Sequence, residues 1–345
     1  MGDEKIKEMN SPYSSPRLNV WAPQIVEPQR NLIVLGPRMY AKLFFSVGLR
    51  ESMITSSTLK TLERNVEMVE KRVAWITGSG APRVGQVIAK YFASKGYQIA
   101  LHANYSIEGA MQCALEMIQS GTDTIVVQGS VAEPDFAKTS VHRIVQHFGR
   151  LDVLVNSAAV WDWRPFEETT AKDIQRQFKV NTLGTFLCSQ AAGLHMASQP
   201  SGGAIVLIGD WAMLRPYPDF SAYFASKGAI ETMTRSLAVE LAIRNPSIRV
   251  NAILPGPVML DPTISIEKAN AIMQQCLLKR LGQPEHVAQA AYFLATHEFI
   301  TGVCIPVDGG RSIYAGPSHD AIAHPTFHRH ESSDRHEKVS PDSVV

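Results

Sequence analysis

Short apolar runs alternate along this chain with stretches whose apolar residues recur every three or four positions. The apolar runs predict buried strands at 72–76, 98–102, 123–127, 152–156, 203–208, 248–254 and 303–307. The periodic stretches predict helices from Val84 to the terminating Gly96, and at 107–120, 133–149, 171–197, 221–244, 266–276 and 284–297. Strands that alternate with helices form a parallel sheet covered on both faces. The pattern therefore predicts an α/β fold with a single doubly wound domain.

This alternation divides the 345 residues into three parts. Residues 1–71 have weak periodicity and several prolines, so we expect a partly disordered N-terminal extension with a short helix around Thr58–Glu70. Residues 72–315 form the predicted folded domain. Residues 316–345 are polar and rich in histidine and serine, which predicts a disordered tail. Met68 lies just before the first strand, so either the leader is a genuine extension or the translation start is misplaced.

The overall composition excludes several classes of partner. Hydrophobic residues make up 45% of the chain, charged residues 19%, and the formal net charge is +1. These proportions are typical of a globular protein and give no electrostatic case for binding nucleic acid or an anionic membrane. The segment Asn31–Gly48 is too short for a membrane span and is interrupted by Arg38 and Lys42. The acidic, polar start also lacks the order of a signal peptide.

The positions of the cysteines indicate the redox compartment of the protein, and those of the histidines bear on whether it binds a metal ion. The 4 cysteines are widely separated and form no CxxC or Cys/His pattern, so we expect reduced thiols in a cytoplasmic protein. Histidines cluster in the tail, at His319, His324, His328, His330 and His336. A His-rich tract can bind metal, but here no cysteine or ordered scaffold accompanies it. We therefore expect a solvated tail and no metal site.

A glycine-rich turn lies between the first predicted strand and the first helix. It begins with Thr77 and Gly78 and ends with Arg83, Val84 and Gly85. Glycine permits a strained backbone and a close approach of phosphate, and a helix N-terminus attracts anions. This position predicts a dinucleotide-binding turn that contacts a pyrophosphate. A tight turn without a ligand is the alternative.

The end of the second strand bears on the choice between NAD and NADP. An acidic residue there would bind the 2′-hydroxyl of NAD, but no acid occurs before Glu108. Arg83, His102, Asn104 and Ser106 can instead contact a 2′-phosphate. We therefore expect NADP (NADPH) as the cofactor. The alternative is that these are merely polar loop residues.

Candidate catalytic side chains occur at the start of the helix predicted at 221–244. Tyr223 and Lys227 are four residues apart and project from one helical face. An ammonium beside a phenol favours the phenolate, so we expect Lys227 to lower the pKa of Tyr223 toward the working range. Asp210 lies at the end of the strand 203–208, and Asn181 lies in the helix before that strand.

A third strand end contributes to the same edge. Asn156, Ser157 and Ala158 end the fourth predicted strand. Because the carboxyl ends of parallel strands meet at one edge, where ligands bind, we expect these residues to lie near Asp210.

Together these segments resemble the short-chain dehydrogenase/reductase family. The matching elements are Thr77-Gly78…Gly85, Asn156-Ser157-Ala158-Ala159, Asn181, Tyr223…Lys227, Pro255-Gly256 and Val307-Asp308-Gly309-Gly310. The resemblance implies one Rossmann-like domain that forms a homo-dimer or homo-tetramer and acts on a small molecule. It implies that Tyr223 is the acid/base, that Lys227 anchors the ribose and modifies the pKa, and that Asn181 supports a proton relay. It implies cofactor contacts at the glycine turn, at the Asn156 segment, and at Pro255 and Gly256.

Some features are similar to the pteridine reductases of this family. Those enzymes carry an aspartate where most members have serine, as at Asp210 here, and an arginine late in the glycine turn, as at Arg83. Their second strand ends in a His-containing, NADP-binding segment that resembles His102–Ser106. Two features differ: Tyr105 replaces their usual arginine, and the turn is one residue longer. Trp161 or Trp163 is the candidate for their pterin-stacking aromatic residue.

The chemistry of a carboxylate fits this resemblance. A carbonyl substrate needs a neutral donor at its oxygen, which ionised Asp210 would oppose. A C=N bond instead needs a proton at nitrogen, which Asp210 can help to supply through Tyr223. We therefore expect an NADPH-dependent reductase of a pteridine-like substrate, contacted by Arg83, Trp161, Asp210 and Tyr223. A carbonyl or 3-oxoacyl-thioester reductase is the alternative, and a non-catalytic dinucleotide-binding protein is a further one.

Overall fold

A computed structural model describes residues 71–314 of the chain. The strands are β1 Val73–Thr77, β2 Gln98–Ala103, β3 Thr124–Gln128, β4 Val153–Asn156, β5 Gly203–Ile208, β6 Ile248–Pro255 and β7 Cys304–Val307. The α-helices are α1 Val84–Ser94, α2 Ile107–Gln119, α3 Phe136–Phe148, α4 Ala171–Gln177, α5 Thr185–Ala197, α6 Ser221–Arg244, α7 Ile266–Gln274 and α8 Pro284–Thr296. The expected leader, its short helix and the His-rich tail lie outside the described residues.

The strands form one 7-stranded parallel sheet in the order β3-β2-β1-β4-β5-β6-β7. The order reverses between β1 and β4, which opens a crevice at the carboxyl ends of these strands. The predicted doubly wound, Rossmann-like α/β fold is therefore confirmed. Because all strands are parallel, Asp210 after β5 and the glycine turn after β1 lie at the same edge of the sheet, although they are distant in sequence.

Each buried strand packs against helices on both faces of the sheet. Trp75 points into a core formed with α3, α5 and α6, whereas the adjacent Ile76 points into a second core formed with α1, α2 and α8. This alternation follows from the two-residue repeat of a strand. Because both faces are covered, the strands are apolar throughout rather than alternating, as expected for a parallel sheet.

The segment predicted as one helix at 171–197 is interrupted in the structure. Helix α4 ends at Gln177, a π-helical turn spans Phe178–Gly184, and α5 begins at Thr185. The Thr185 hydroxyl donates a hydrogen bond to the Asn181 carbonyl (2.8 Å). Gly184 fits closely against Val131, where an added Cβ would lie 2.6 Å from a methyl group. Such π-helical turns occur frequently at functional sites, and this one contains Asn181.

His102 on β2 holds the glycine turn in place. The Gly78 amide donates to His102 Nδ1 (2.8 Å), and His102 Nε2 lies 2.9 Å from the Gly129 carbonyl oxygen. Since a carbonyl can only accept, Nε2 carries the proton and the ring is neutral. His102 was expected to contact a 2′-phosphate, but both ring nitrogens are occupied and the residue is 2% exposed. We therefore correct that expectation: His102 positions the turn.

The neutral state of His102 predicts how stability depends on pH. Burial lowers the pKa of His102 from 6.5 to about 4. Between these values the unfolded chain binds more protons than the folded one, so stability falls as pH drops from about 6.5 to about 4, by at most ~1.4 kcal/mol per pH unit. Urea unfolding at several pH values should show a shallower slope for His102→Asn than for the wild type.

The exposed His142 on α3 provides the matched control. His142→Asn should keep the wild-type slope because its side chain lies in solvent. Equal slopes for the wild type and His102→Asn would contradict the assignment of His102 as a buried neutral support.

Candidate active site

The side chains predicted to be catalytic meet at the carboxyl ends of β4 and β5. The Tyr223 hydroxyl, in the first turn of α6, donates to Asp210 Oδ2 at 2.8 Å. The other carboxylate oxygen, Oδ1, accepts from the Ala212 amide at 2.8 Å. Lys227 Nζ donates to the Ile208 carbonyl at 2.6 Å. Two consecutive turns of α6 are thus tied to the end of β5.

Burial dominates the protonation of these groups. It raises the pKa of Asp210, opposed by hydrogen bonds from Ala212 and Tyr223. Burial, reinforced by the Asp210 charge, raises the pKa of Tyr223 well above its ordinary value. Burial lowers the pKa of Lys227 from 10.5 to about 8. The expected lowering of the Tyr223 pKa by Lys227 is therefore corrected: in this structure Tyr223 is held as a protonated donor.

Asn181 orients the loop that faces the donor pair. Its Oδ1 accepts from the Val160 amide (2.8 Å), and its Nδ2 lies 3.0 Å from the Val160 carbonyl oxygen. The same Nδ2 also lies 3.0 Å from Gln177 Oε1 and 2.9 Å from Ser226 Oγ. Asn181 is completely buried. Its side chain therefore positions the loop after β4, while the relay role implied by the resemblance stays a prediction.

The glycine turn packs against the end of β4. Gly78 has φ +69°, and a Cβ at this position would lie 2.6 Å from the Ala158 Cα. A Cβ on Gly85 would lie 2.6 Å from the Gly78 carbonyl oxygen. The Thr77 hydroxyl accepts from the amides of Ser157 and Ala158, at 3.0 Å each. The two segments expected to hold the cofactor thus form one continuous wall.

The remaining cofactor candidates lie around this wall. Asn156 Nδ2 donates to Ser189 Oγ (2.9 Å), so its amide braces α5. The Gly256 amide donates to the Val307 carbonyl (3.0 Å), which joins the Pro255-Gly256 turn to the end of β7. Val84, the first residue of α1, is half-buried against the core.

Polar side chains at the end of the glycine turn and after β2 remain accessible. Arg83 and Ser106 are exposed and Asn104 is half-buried, while Tyr105 is 90% exposed. Hydrogen bonds from Thr263 lower the pKa of Asp261, and the positive charge of Arg83 adds to this effect.

Aromatic side chains form a shelf beside the donor pair. The rings of Trp161 and Phe220 are parallel, 5.0 Å apart and inclined by 9°. Tyr217 packs edge-on against Phe220 (5.3 Å) and lies 6.2 Å from the Trp211 ring. Trp161 is 54% exposed, so one indole face is available. We call Trp161, Tyr217 and Phe220 the aromatic shelf.

Three buried residues near the site were missed in the sequence. Gln177 and Ser226 both bond to Asn181, and Arg311 packs on Trp211. The four-residue spacing of Gln177 and Asn181 on one helical face could have indicated the first contact. The other two depend on contacts between distant segments, which spacing does not reveal.

Among residues 71–314, no group of three or more His, Cys, Asp or Glu side chains could hold a metal ion. None of the helices in this range is long and apolar enough to cross a membrane. All 4 cysteines lie in this range and are free thiols, as expected.

Comparisons with known proteins agree with this geometry. The family model described as "Enoyl-(Acyl carrier protein) reductase" matches residues 81–312. A short-chain dehydrogenase/reductase of Armillaria gallica is 36% identical over 252 residues, covering 69% of this chain and 95% of that protein. The 3-oxoacyl-[acyl-carrier-protein] reductase of Synechocystis is 33% identical over 246 residues, covering 70% of this chain and 98% of that protein.

A solved structure is similar as well. The blue fluorescent protein from a metagenomic library, in complex with NADPH, has a TM-score of 0.64 and 30% identity to this chain. The match covers 70% of this chain and 97% of that one. With the parallel sheet, the glycine turn and the Tyr223–Lys227 pair, these matches show that the chain belongs to the short-chain dehydrogenase/reductase family of NAD(P)-dependent oxidoreductases.

Proposed function

We propose that this enzyme reduces a C=N bond of a pteridine-like heterocycle and uses NADPH as its cofactor. The observation that carries the proposal is the 2.8 Å hydrogen bond from the Tyr223 hydroxyl to Asp210. It places a carboxyl group where a carbonyl reductase would need a neutral donor. Bound NADPH would supply the hydride.

The chain's own groups would then supply one proton. The Tyr223 hydroxyl, kept protonated by burial, donates its proton to the substrate nitrogen. Asp210, whose pKa burial also raises, returns a proton to the Tyr223 oxygen across their hydrogen bond. Lys227, positively charged below about pH 8, stabilises the negative charge on Tyr223 during the transfer. Solvent replaces the proton on Asp210 after the product leaves.

The proposed cofactor contacts follow the continuous wall described above. Thr77, Gly78, Val84 and Gly85 would hold the pyrophosphate on the turn and the α1 N-terminus. Further cofactor contacts are proposed at Asn156, Ser157, Ala158, Lys227, Pro255 and Gly256. Arg83 in the glycine turn, and Asn104 and Ser106 after β2, would contact the 2′-phosphate, which supports NADP over NAD.

The aromatic shelf supports a flat substrate. The exposed face of Trp161, backed by Phe220, provides a surface on which a heteroaromatic ring can stack. Arg83 would bridge the cofactor phosphate and a carbonyl group of the substrate. A pteridine-like ring presents both the flat face and the C=N bond that this arrangement requires.

A carbonyl or 3-oxoacyl-thioester reductase is the second candidate. The similarity to the Synechocystis 3-oxoacyl-[acyl-carrier-protein] reductase favours it, at 33% identity. In that case Asp210 would act through Tyr223 alone and would not contact the substrate.

We further propose that the enzyme assembles as a homo-dimer or homo-tetramer. Large apolar side chains are exposed along α5 and α6, namely Phe186, Leu194, Val239 and Ile243. Such a patch is a candidate contact between copies of the chain. Light scattering coupled to size exclusion measures the mass directly.

Replacing the carboxylate should separate the two candidate substrates. Asp210→Ser should lower NADPH oxidation by 7,8-dihydrobiopterin about 10²-fold, because the second proton source is lost. Oxidation by a 3-oxoacyl thioester should change less or increase, since serine is a neutral donor. Steady-state rates on both substrates give the ratio, and Asp135→Ser on the surface is the matched control. Wild-type activity on carbonyl substrates alone would overturn the pteridine assignment.

Removing the proposed phosphate contact should change cofactor preference. Arg83→Gln should raise the KM for NADPH about tenfold and leave the KM for NADH nearly unchanged, because only NADPH carries the 2′-phosphate. Initial rates at varied cofactor concentration measure both constants. Arg235→Gln, at an exposed position on α6, should change neither constant. Faster turnover with NADH than with NADPH in the wild type would contradict the proposed preference.

A further inference from the structure

Arg311 is a buried cation in the turn that follows β7. It is 4% exposed, and its guanidinium carbon lies 4.4 Å from the centre of the Trp211 ring. One terminal nitrogen, Nη2, donates to Gln275 Oε1 at 2.8 Å. Its Nε has no hydrogen-bond partner among the described residues. Trp211 directly follows Asp210, so this contact places the charge beside the chain segment that carries Asp210.

The charge of Arg311 is not neutralised by an adjacent ion pair. Within residues 71–314 its guanidinium forms no salt bridge, and the groups that act on it electrostatically are Cys276, Tyr217, Arg215 and Asp210. Asp210 is the carboxyl group of this set. Asp308 lies in the same turn, but its two oxygens accept from the backbone amides of Gly310 and Ser312.

The surroundings of Asp210 give Arg311 a defined role. The charged and titratable groups that face Asp210 are Tyr223, Lys227, Tyr217 and Arg311. Lys227 is buried and already donates a hydrogen bond to the Ile208 carbonyl. Tyr217 and Tyr223 are neutral, because burial raises the pKa of both. Arg311 is therefore the permanently charged cation of this set, because a guanidinium keeps its proton in proteins.

We propose that Arg311 is a positioning residue: its guanidinium, held against Trp211, supplies a fixed positive charge that favours the ionised form of Asp210 and so tunes the proton passed through Tyr223. The charge offsets part of the cost of burying a carboxylate. Without it, Asp210 would keep its proton to a higher pH and release it to Tyr223 less readily. The inference rests on the proposed donor role of the Asp210–Tyr223 pair.

The ionisation of Asp210 can be measured without a substrate. Infrared difference spectra recorded at a series of pH values show the carbonyl band of a protonated carboxyl group. The band that is present in the wild-type spectra and absent from those of the Asp210→Asn protein is assigned to Asp210. Arg311→Met should move the midpoint of this band upward, because a nearby positive charge is removed. Arg311→Lys, which retains the charge, should stay closer to the wild-type midpoint.

Controls separate a charge effect from a packing effect. Arg244→Met, at an exposed position at the end of α6, should leave the band at the wild-type midpoint. Arg311→Gln provides a second neutral variant if Arg311→Met does not fold. The basic limb of the pH profile for NADPH oxidation by 7,8-dihydrobiopterin should move upward together with the band.

Two results would overturn the inference. One is a folded Arg311→Met or Arg311→Gln protein whose Asp210 band titrates at the wild-type midpoint. The other is an equal shift in Arg311→Lys, which would assign Arg311 to packing alone. Because the infrared measurement needs no turnover, a wrong substrate assignment would leave its outcome unchanged.

Discussion

The hydrogen bond between Tyr223 and Asp210 joins the end of β5 to the first turn of α6. Tyr223 is buried, Asp210 is half-buried, and the bond is 2.8 Å long. Leaving either group without its partner would cost ~1–3 kcal/mol or more. Neighbouring hydrogen bonds support this one. The Ala212 amide donates to the second carboxylate oxygen of Asp210, and Lys227 donates to the carbonyl of Ile208, the last residue of β5.

Burial has opposite consequences for the protonation of the groups of the site, and the proposed proton transfer depends on this opposition. It favours the neutral forms of Asp210 and Tyr223 and weakens the hold of Lys227 on its proton. A carboxyl and a phenol whose pKa values are both raised, joined by a hydrogen bond, are suited to pass protons in succession. Titratable pairs of this kind characterise acid–base sites, whereas a purely structural ion pair would be expected to remain ionised.

Spacing and strand order predicted the parts of the site that depend on local geometry. Tyr223 and Lys227 share a face because four residues make about one helical turn. Asp210 reaches them because parallel strands end at one edge. The pKa direction of Tyr223 could not be predicted, since it depends on burial by distant segments. His102 was misassigned for the same reason: its ring is occupied by Gly78 and by Gly129, 27 residues later in the chain.

The proton-donor role of Tyr223 is most directly tested by a single turnover of enzyme-bound NADPH with the substrate that the wild type reduces fastest. Tyr223→Phe removes one oxygen atom and keeps the ring that packs against Phe224. The account predicts a rate about 10²- to 10⁴-fold lower with unchanged affinity for NADPH, because the proton can no longer be delivered. A Tyr223→Phe enzyme that turns over at the wild-type rate would contradict it.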